Sequence, residues 1–161
     1  MDKQRQPFTN LVKTRFAALQ SDTPETSELL DVYIDFSLTH EKLRSFGDSV
    51  FDILVCPRLK IIAQELDSAN IHRVTNDAIL AIESTNRLPG TAKFRVSYEV
   101  DVAAQSLLFK SDYRITSNVA SYTSDGWHRT EIKKFRQTSY CSWIENELLG
   151  FAASYHKRLL E

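Results

Sequence analysis

Lys93-Phe94-Arg95-Val96-Ser97-Tyr98-Glu99-Val100-Asp101-Val102 alternates polar and apolar residues at every step. Successive side chains of a β-strand point to opposite faces. The period of two therefore predicts an inward face of Phe94, Val96, Tyr98, Val100 and Val102, and leaves Lys93, Arg95, Glu99 and Asp101 outside. A strand with one dry and one wet face belongs to an antiparallel sheet, because strands of parallel sheets are buried on both faces and read as continuous apolar runs.

Working outward, Arg87–Leu88–Pro89–Gly90 supplies a turn, and before it Ala78–Glu83 is apolar on both faces, as a buried strand would be. After the central strand, Ala103–Ser106 reads as a connection or bulge. Leu107, Phe109, Tyr113 and Ile115 then stand opposite Lys110, Asp112, Arg114 and Thr116. Asp125–Gly126 is a two-residue hairpin signal, since a type I′ turn needs positive φ at both central positions. It predicts that Val119–Thr123 pairs with Trp127–Phe135, whose poor alternation suits an edge strand. Far upstream, Leu30, Val32, Ile34, Phe36 and Leu38 alternate with Asp31, Tyr33, Asp35, Ser37 and Thr39, a further half-buried strand.

Helices flank this β texture. Pro7 suits a first turn, and Phe8, Leu11, Val12, Phe16 and Leu19 follow at helical spacing, predicting a helix over 8–20. Gly47 and Asp48 separate a short turn, Glu41–Phe46, from Val50–Leu66, where Phe51, Leu54, Val55, Leu59, Ile62 and Leu66 recur at helical intervals with Asp48 as N-cap. Pro57 removes a donor and restricts Cys56, so a kink or two pieces meeting at Cys56–Pro57 is expected, with a strand over Phe51, Ile53 and Val55 as the alternative. A last helix from about Ser139 to Leu160 would bury Cys141, Ile144, Leu148, Phe151, Ala152, Tyr155 and Leu159. Ser142-Trp143-Ile144-Glu145 matches a capping box that would start it three residues later, and Gly150 in its middle suggests close packing there.

The elements add up to an α+β fold: a curved antiparallel sheet of four to six strands on a long C-terminal helix, with an additional N-terminal helix. The 161 residues, 42% hydrophobic and 25% charged, fit a single domain over 1–161, with 1–7 as a candidate disordered tail. In element order over residues 28–160 the chain resembles helix-grip domains of the START and polyketide-cyclase type, with Val50–Leu59 similar to the helix after their first strand. NTF2-like and cystatin-like cones are the alternatives. No motif accompanies the resemblance, so it implies a fold and no site residues.

Twenty basic and twenty-one acidic residues give a formal charge of −1, which provides no global field toward nucleic acid or an anionic membrane. Arg129, Lys133, Lys134 and Arg136 lie among Tyr122, Trp127 and Phe135. This would suit stacking on a nucleic-acid strand, but lysines also protect an exposed edge, and the edge reading is preferred. No stretch has the length of a membrane span or the apolar core of a secretory signal. A cytoplasmic protein is expected, the base-rich first twenty residues being only faintly transit-peptide-like. Cys56 and Cys141 form no CxxC pair, and His40, His72, His128 and His156 fall in no metal-ligand spacing, so neither metal nor cofactor is expected. The carboxylates of Asp22–Asp35 have the character of a solvated face rather than a calcium loop.

Three functional readings follow. In the first, a non-enzymatic binding domain holds an apolar small molecule or peptide between sheet and last helix, lined by Phe94, Val96, Tyr98, Phe109, Tyr113 and Ile144. In the second, an oligomeric structural or regulatory interaction module, a homo-oligomer included, uses Trp127, Arg129, Lys133, Trp143 and Leu149 as its interface. In the third, an isolated Asp/His pair, Asp77 with His72 or Asp31 with His40, performs acid–base catalysis.

Overall fold

The structure, a computed structural model, describes residues 2–22, 39–66, 69–82, 90–117 and 120–157. It leaves the side chains of 2–7, 21 and 22 undescribed. The predicted strand Leu30–Leu38, the Asp22–Asp35 carboxylates other than the backbone of Asp22, most of the Arg87–Gly90 turn, and Leu159 lie outside the described residues.

The chain has an α+β fold: helix α1 (Asp2–Asp22), helix α2 (His40–Val50), a π-helical turn (Phe51–Val55), helix α3 (Cys56–Gln64), strands β1 (Ala69–Val74), β2 (Asp77–Ile82), β3 (Gly90–Asp101), β4 (Ser106–Ser117) and β5 (Ser121–Glu131), and a C-terminal helix α4 (Gln137–Tyr155). The five strands make an open antiparallel meander in chain order, β1-β2-β3-β4-β5, with β1 and β5 at its edges. The four helices of the described residues lie on one face. α2 packs on β3 and β4, α3 on β1 and β2, α4 across β3, β4 and β5, and α1 covers α3 and α4.

β3 follows the predicted alternation from Thr91 to Tyr98, with Phe94, Val96 and Tyr98 buried. Val100 is half-buried, and Val102 is exposed because it already belongs to the turn into β4, where Asp101 Oδ1 accepts the Ala104 N–H at 3.0 Å. β4 buries Leu107, Phe109, Ser111, Tyr113 and Ile115 against the helices.

Glycine is where expectation and structure part. Asp125–Gly126 is not a hairpin turn. β5 runs straight through it, Gly126 opposite Ser111 and Asp125 opposite Asp112, with no positive φ at the glycine. A Cβ on Gly126 would lie 2.3 Å from Glu147 Oε1, so the missing side chain makes room for the Glu147 carboxylate rather than turning the chain. Gly47, expected to separate two pieces, sits inside α2 because the Tyr98 ring lies on it, and a Cβ would stand 2.7 Å from Tyr98 Cε2. Conversely, Gly150 has ordinary room. The nearest atom to a Cβ there is Tyr113 Oη at 3.9 Å, so the expected close packing is absent.

Asp48 is not an N-cap. Thr39 caps α2 by accepting the Lys42 N–H at 3.3 Å. The break expected at Pro57 takes a milder form. The Cys56 N–H donates to the Phe51 carbonyl, one residue wider than an α-helical bond, and this π turn lets Pro57 enter the first turn of α3 without ending the helical path. Residues 51–55 are thus helical, not a strand. β1 was unanticipated and leads through Thr75, at φ 44°, into β2. α4 begins at Gln137 and buries Tyr140 in addition to the predicted Cys141, Ile144, Leu148, Phe151, Ala152 and Tyr155.

Candidate functional site

The six residues expected to line an interior site all meet on the helix side of the sheet. Phe94, Val96, Phe109 and Ile144 are 0% exposed, and Tyr98 and Tyr113 are buried. Their neighbours are other rings: Phe109 stands 4.7 Å from Tyr140 between ring centroids, Tyr98 5.2 Å from Phe51, Tyr113 5.5 Å and Phe94 5.7 Å from Phe151. Edge-on and tilted contacts at these separations are those of packed aromatic cores.

Two polar joints fasten the helices to this core. At the first, Arg73 of β1 turns inward and its Nη2 donates to Asp48 Oδ1 at 2.8 Å. Its Nε reaches Asp52 at 3.4 Å, its Nη1 donates to the Thr75 and Asp77 carbonyls, and its guanidinium lies 4.9 Å from the centre of the Phe51 ring. The Tyr98 hydroxyl shares its proton between Asp48 Oδ1 at 2.7 Å and the Arg44 carbonyl at 3.0 Å. Burial, reinforced by the bond to Asp48, pushes its pKa well up. At the second, Arg58 is 1% exposed, donates from Nε to Glu145 Oε2 at 2.8 Å and from Nη1 to the Leu54 carbonyl at 2.9 Å, and so ties α3 to α4.

Neither joint prepares a reactive group. Burial raises the thiol pKa of Cys56 and of Cys141, in each case against a neighbouring arginine (Arg73 and Arg58), which favours the neutral form. Burial lowers the pKa of His128, whose ring stands 5.5 Å from Trp143 and 5.8 Å from Tyr140. His72 is exposed on β1 and makes no ion pair with Asp77, whose backbone carbonyl serves Arg73. Asp31, the expected partner of His40, lies outside the described residues. Among the described residues no three His, Cys, Asp or Glu converge as metal ligands, and no helix is long and apolar enough to cross a membrane.

Among the described residues, no helix packs on the opposite face of the sheet. Its side chains form rows fixed by the strand register: Lys93 beside Arg114, Arg95 beside Asp112 and Asp125, Ser97 beside Lys110 and Trp127, Glu99 beside Leu108 and Arg129. Arg95 pairs with Asp112 at 3.2 Å, and Lys110 with Glu99 at 2.9 Å. The side chains of Lys93, Arg114 and Arg129 make no hydrogen bond or ion pair among the described residues. Two adjoining hollows cross this face. One, of about 760 Å³, lies between β2 and β5 over Lys93, Arg95, Asp112 and Arg114. The other, of about 870 Å³, lies over Leu108, Lys110, Asp125, Trp127 and Arg129. Trp127 is 69% exposed there, more than any other large apolar side chain among the described residues.

Of the residues expected at an interface, only Trp127 and Arg129 meet on this face. Lys133 stands exposed on the short 3₁₀ turn after β5. Trp143 and Leu149 are half-buried against the core on the helix side, so they do not extend the Trp127 patch. The basic-aromatic array is dispersed as well. Tyr122 faces inward 6.1 Å from Tyr113, and Phe135 packs 5.1 Å from Phe46. Lys93, Arg95, Asp112 and Arg114 were legible as outward residues, but their meeting on one surface depends on which residue of β3 stands opposite which of β4. No family model, curated protein or solved structure matches the chain, so the likeness to helix-grip, NTF2-like and cystatin-like folds rests on element order.

Proposed function

We propose that the chain is a non-enzymatic interaction module that works through the open face of its sheet, around Trp127. The observation that carries this reading is a tryptophan 69% exposed at a hollow that it lines together with Leu108, Lys110, Ser111, Asp125 and Arg129. Scattered apolar residues on a surface mean little, but a large aromatic ring in a depression beside Arg129, a cation unpaired among the described residues, has the makeup of an interface anchor. The interior reading has less support, since each ring expected to line a pocket already has ring neighbours from the helices.

Hydroxyl-radical footprinting compares the protein in dilute purified form with the same protein inside the cells that express it. Trp127 oxidation is expected to fall several-fold in cells, while half-buried Trp143 serves as the internal reference. Equal oxidation of Trp127 in both settings would remove the reading.

A further inference from the structure

We infer that the occupant of the open face is a second copy of this chain, stacked sheet on sheet about a two-fold axis that runs across the strands at the level of Val96, Ser111 and Gly126. This rests on the interaction-module reading and names its partner. The charge pattern supports that arrangement. Val96, Ser111 and Gly126 are side by side in the register, and their side chains or hydrogen point to the helix side, so the axis falls between two rows of the open face. Rotation about it brings each open-face residue over the one equally far beyond the axis on the same strand of the other copy.

On β3, Lys93 then meets Glu99 of the second copy, because each is three residues from Val96. On β4, Asp112 meets Lys110 of the second copy, each one residue from Ser111. The intrachain pairs Arg95–Asp112 and Lys110–Glu99 join these contacts into one string of alternating sign: Lys93, then Glu99 and Lys110 of the second copy, then Asp112 and Arg95. Symmetry writes the string twice. On β5, the two Trp127 side chains lie beside the axis, each over Asp125 of the other copy, and Arg129 lies over Thr123. No like charges are superposed on these strands. A two-fold axis along β3 would do the reverse, setting Lys93 on Lys93, Arg95 on Arg95 and Glu99 on Glu99. The sign of the charges therefore favours the first of these two stackings over the second.

Lys93 adds a second observation, since it has no ionic partner among the described residues and gains one in the pair. Strands about 4.8 Å apart and roughly 20–35 Å long present on the order of 600 Å² per copy, about 1,200 Å² for both. That is the lower end of specific interfaces, so a reversible dimer follows rather than an obligate one.

Sedimentation velocity of the full chain from about 1 µM to about 500 µM tests this, with Trp127 oxidation followed in parallel. A monomer–dimer equilibrium is expected, with Trp127 protected as the dimer forms. Lys93→Glu and Glu99→Lys should each weaken dimerisation at least about tenfold, and the double exchange should restore most of it. Rescue matters because Glu99→Lys also breaks the pair with Lys110, so its loss alone would not distinguish an interchain contact. A monomer at every concentration, a dimer that leaves Trp127 accessible, or a double exchange no better than the single ones would overturn the inference. Trp127 protected in cells while the pure chain stays monomeric would reject the second copy and leave the open-face reading standing. Trp127 accessible in both would reject the two together.

Discussion

Phe94 and Arg95 are neighbours on β3, yet Phe94 is fully enclosed by Tyr113 and Phe151, whereas Arg95 lies in water against Asp112. The same contrast repeats along β4 with Phe109 and Lys110, and along β5 with Gly126 and Trp127. Alternate residues of the same strands thus build two surfaces under different constraints. The inner face is fixed by volume, since each ring has rings for neighbours. The outer face is fixed by charge and register, with little packing to specify it. Substitutions on the inner face should therefore change stability, and those on the outer face association.

The sharpest break in that comparison comes from the inner face. Phe94→Ala should destabilise the protein by about 3–5 kcal/mol, the sum of lost transfer energy and an unfilled cavity, read as a lower urea midpoint. A loss under about 1 kcal/mol would mean that the ring sits beside space it does not fill, and the interior-ligand reading would regain ground.

Gly47→Ala probes how tightly the face is closed. A methyl group there would overlap the Tyr98 ring, which cannot swing away without losing its bonds to Asp48 and the Arg44 carbonyl. Overpacking of about 1–3 kcal/mol exceeds the gain of about 1 kcal/mol in helix propensity, so a net loss is expected in chemical denaturation. Gly126→Ala makes a control, because it displaces only the end of the Glu147 side chain. Gly150→Ala should have the opposite sign. With the nearest atom at 3.9 Å, the methyl group fits, and up to about 1 kcal/mol of helix propensity raises the melting temperature.

These glycines also mark what the sequence could and could not convey. Alternation carried β3 and β4 because every inward position there is apolar or small. β1 escaped because its inward set is Ala69, Ile71 and Arg73 while Val74 points out, a pattern inverted by the arginine that reaches Asp48 and Phe51. The turn after it carries Thr75 at φ 44°, where a β-branched residue gives no turn signal. It is held instead by the Asn76 carboxamide donating to the Tyr98 carbonyl at 2.9 Å. Gly47 and Gly126 looked like punctuation because a sequence records a missing side chain without recording what approaches it. The open face is partly legible in the same sense: each outward residue follows from alternation, but Lys93 beside Arg114 requires the strand register.

A smaller effect comes from the rim between the faces. His128 has its pKa lowered by burial, so in the window from its depressed folded value up to about 6.5 the unfolded chain binds more protons than the folded one. Stability is therefore whole above that window and declines as pH falls through it. His128→Asn should flatten this part of a melting-temperature profile between pH 5 and 7. An unchanged slope would assign the acid sensitivity to other groups.

The smallest stability effect is expected at the largest exposed ring. Trp127 is 69% exposed and lines its hollow mostly with charged and polar residues beside the half-buried Leu108, so Trp127→Ala should leave the urea midpoint within about 0.5 kcal/mol of the parent. Its emission should nevertheless move to shorter wavelength, because the remaining fluorophore, Trp143, is half-buried against His128 and Tyr140. If the substitution instead cost more than about 1 kcal/mol, Trp127 would be stabilising the fold, and the division between a face held by volume and a face free for a partner would fail at β5. A neutral midpoint with lost protection of the open face would locate the difference between the two faces in association alone.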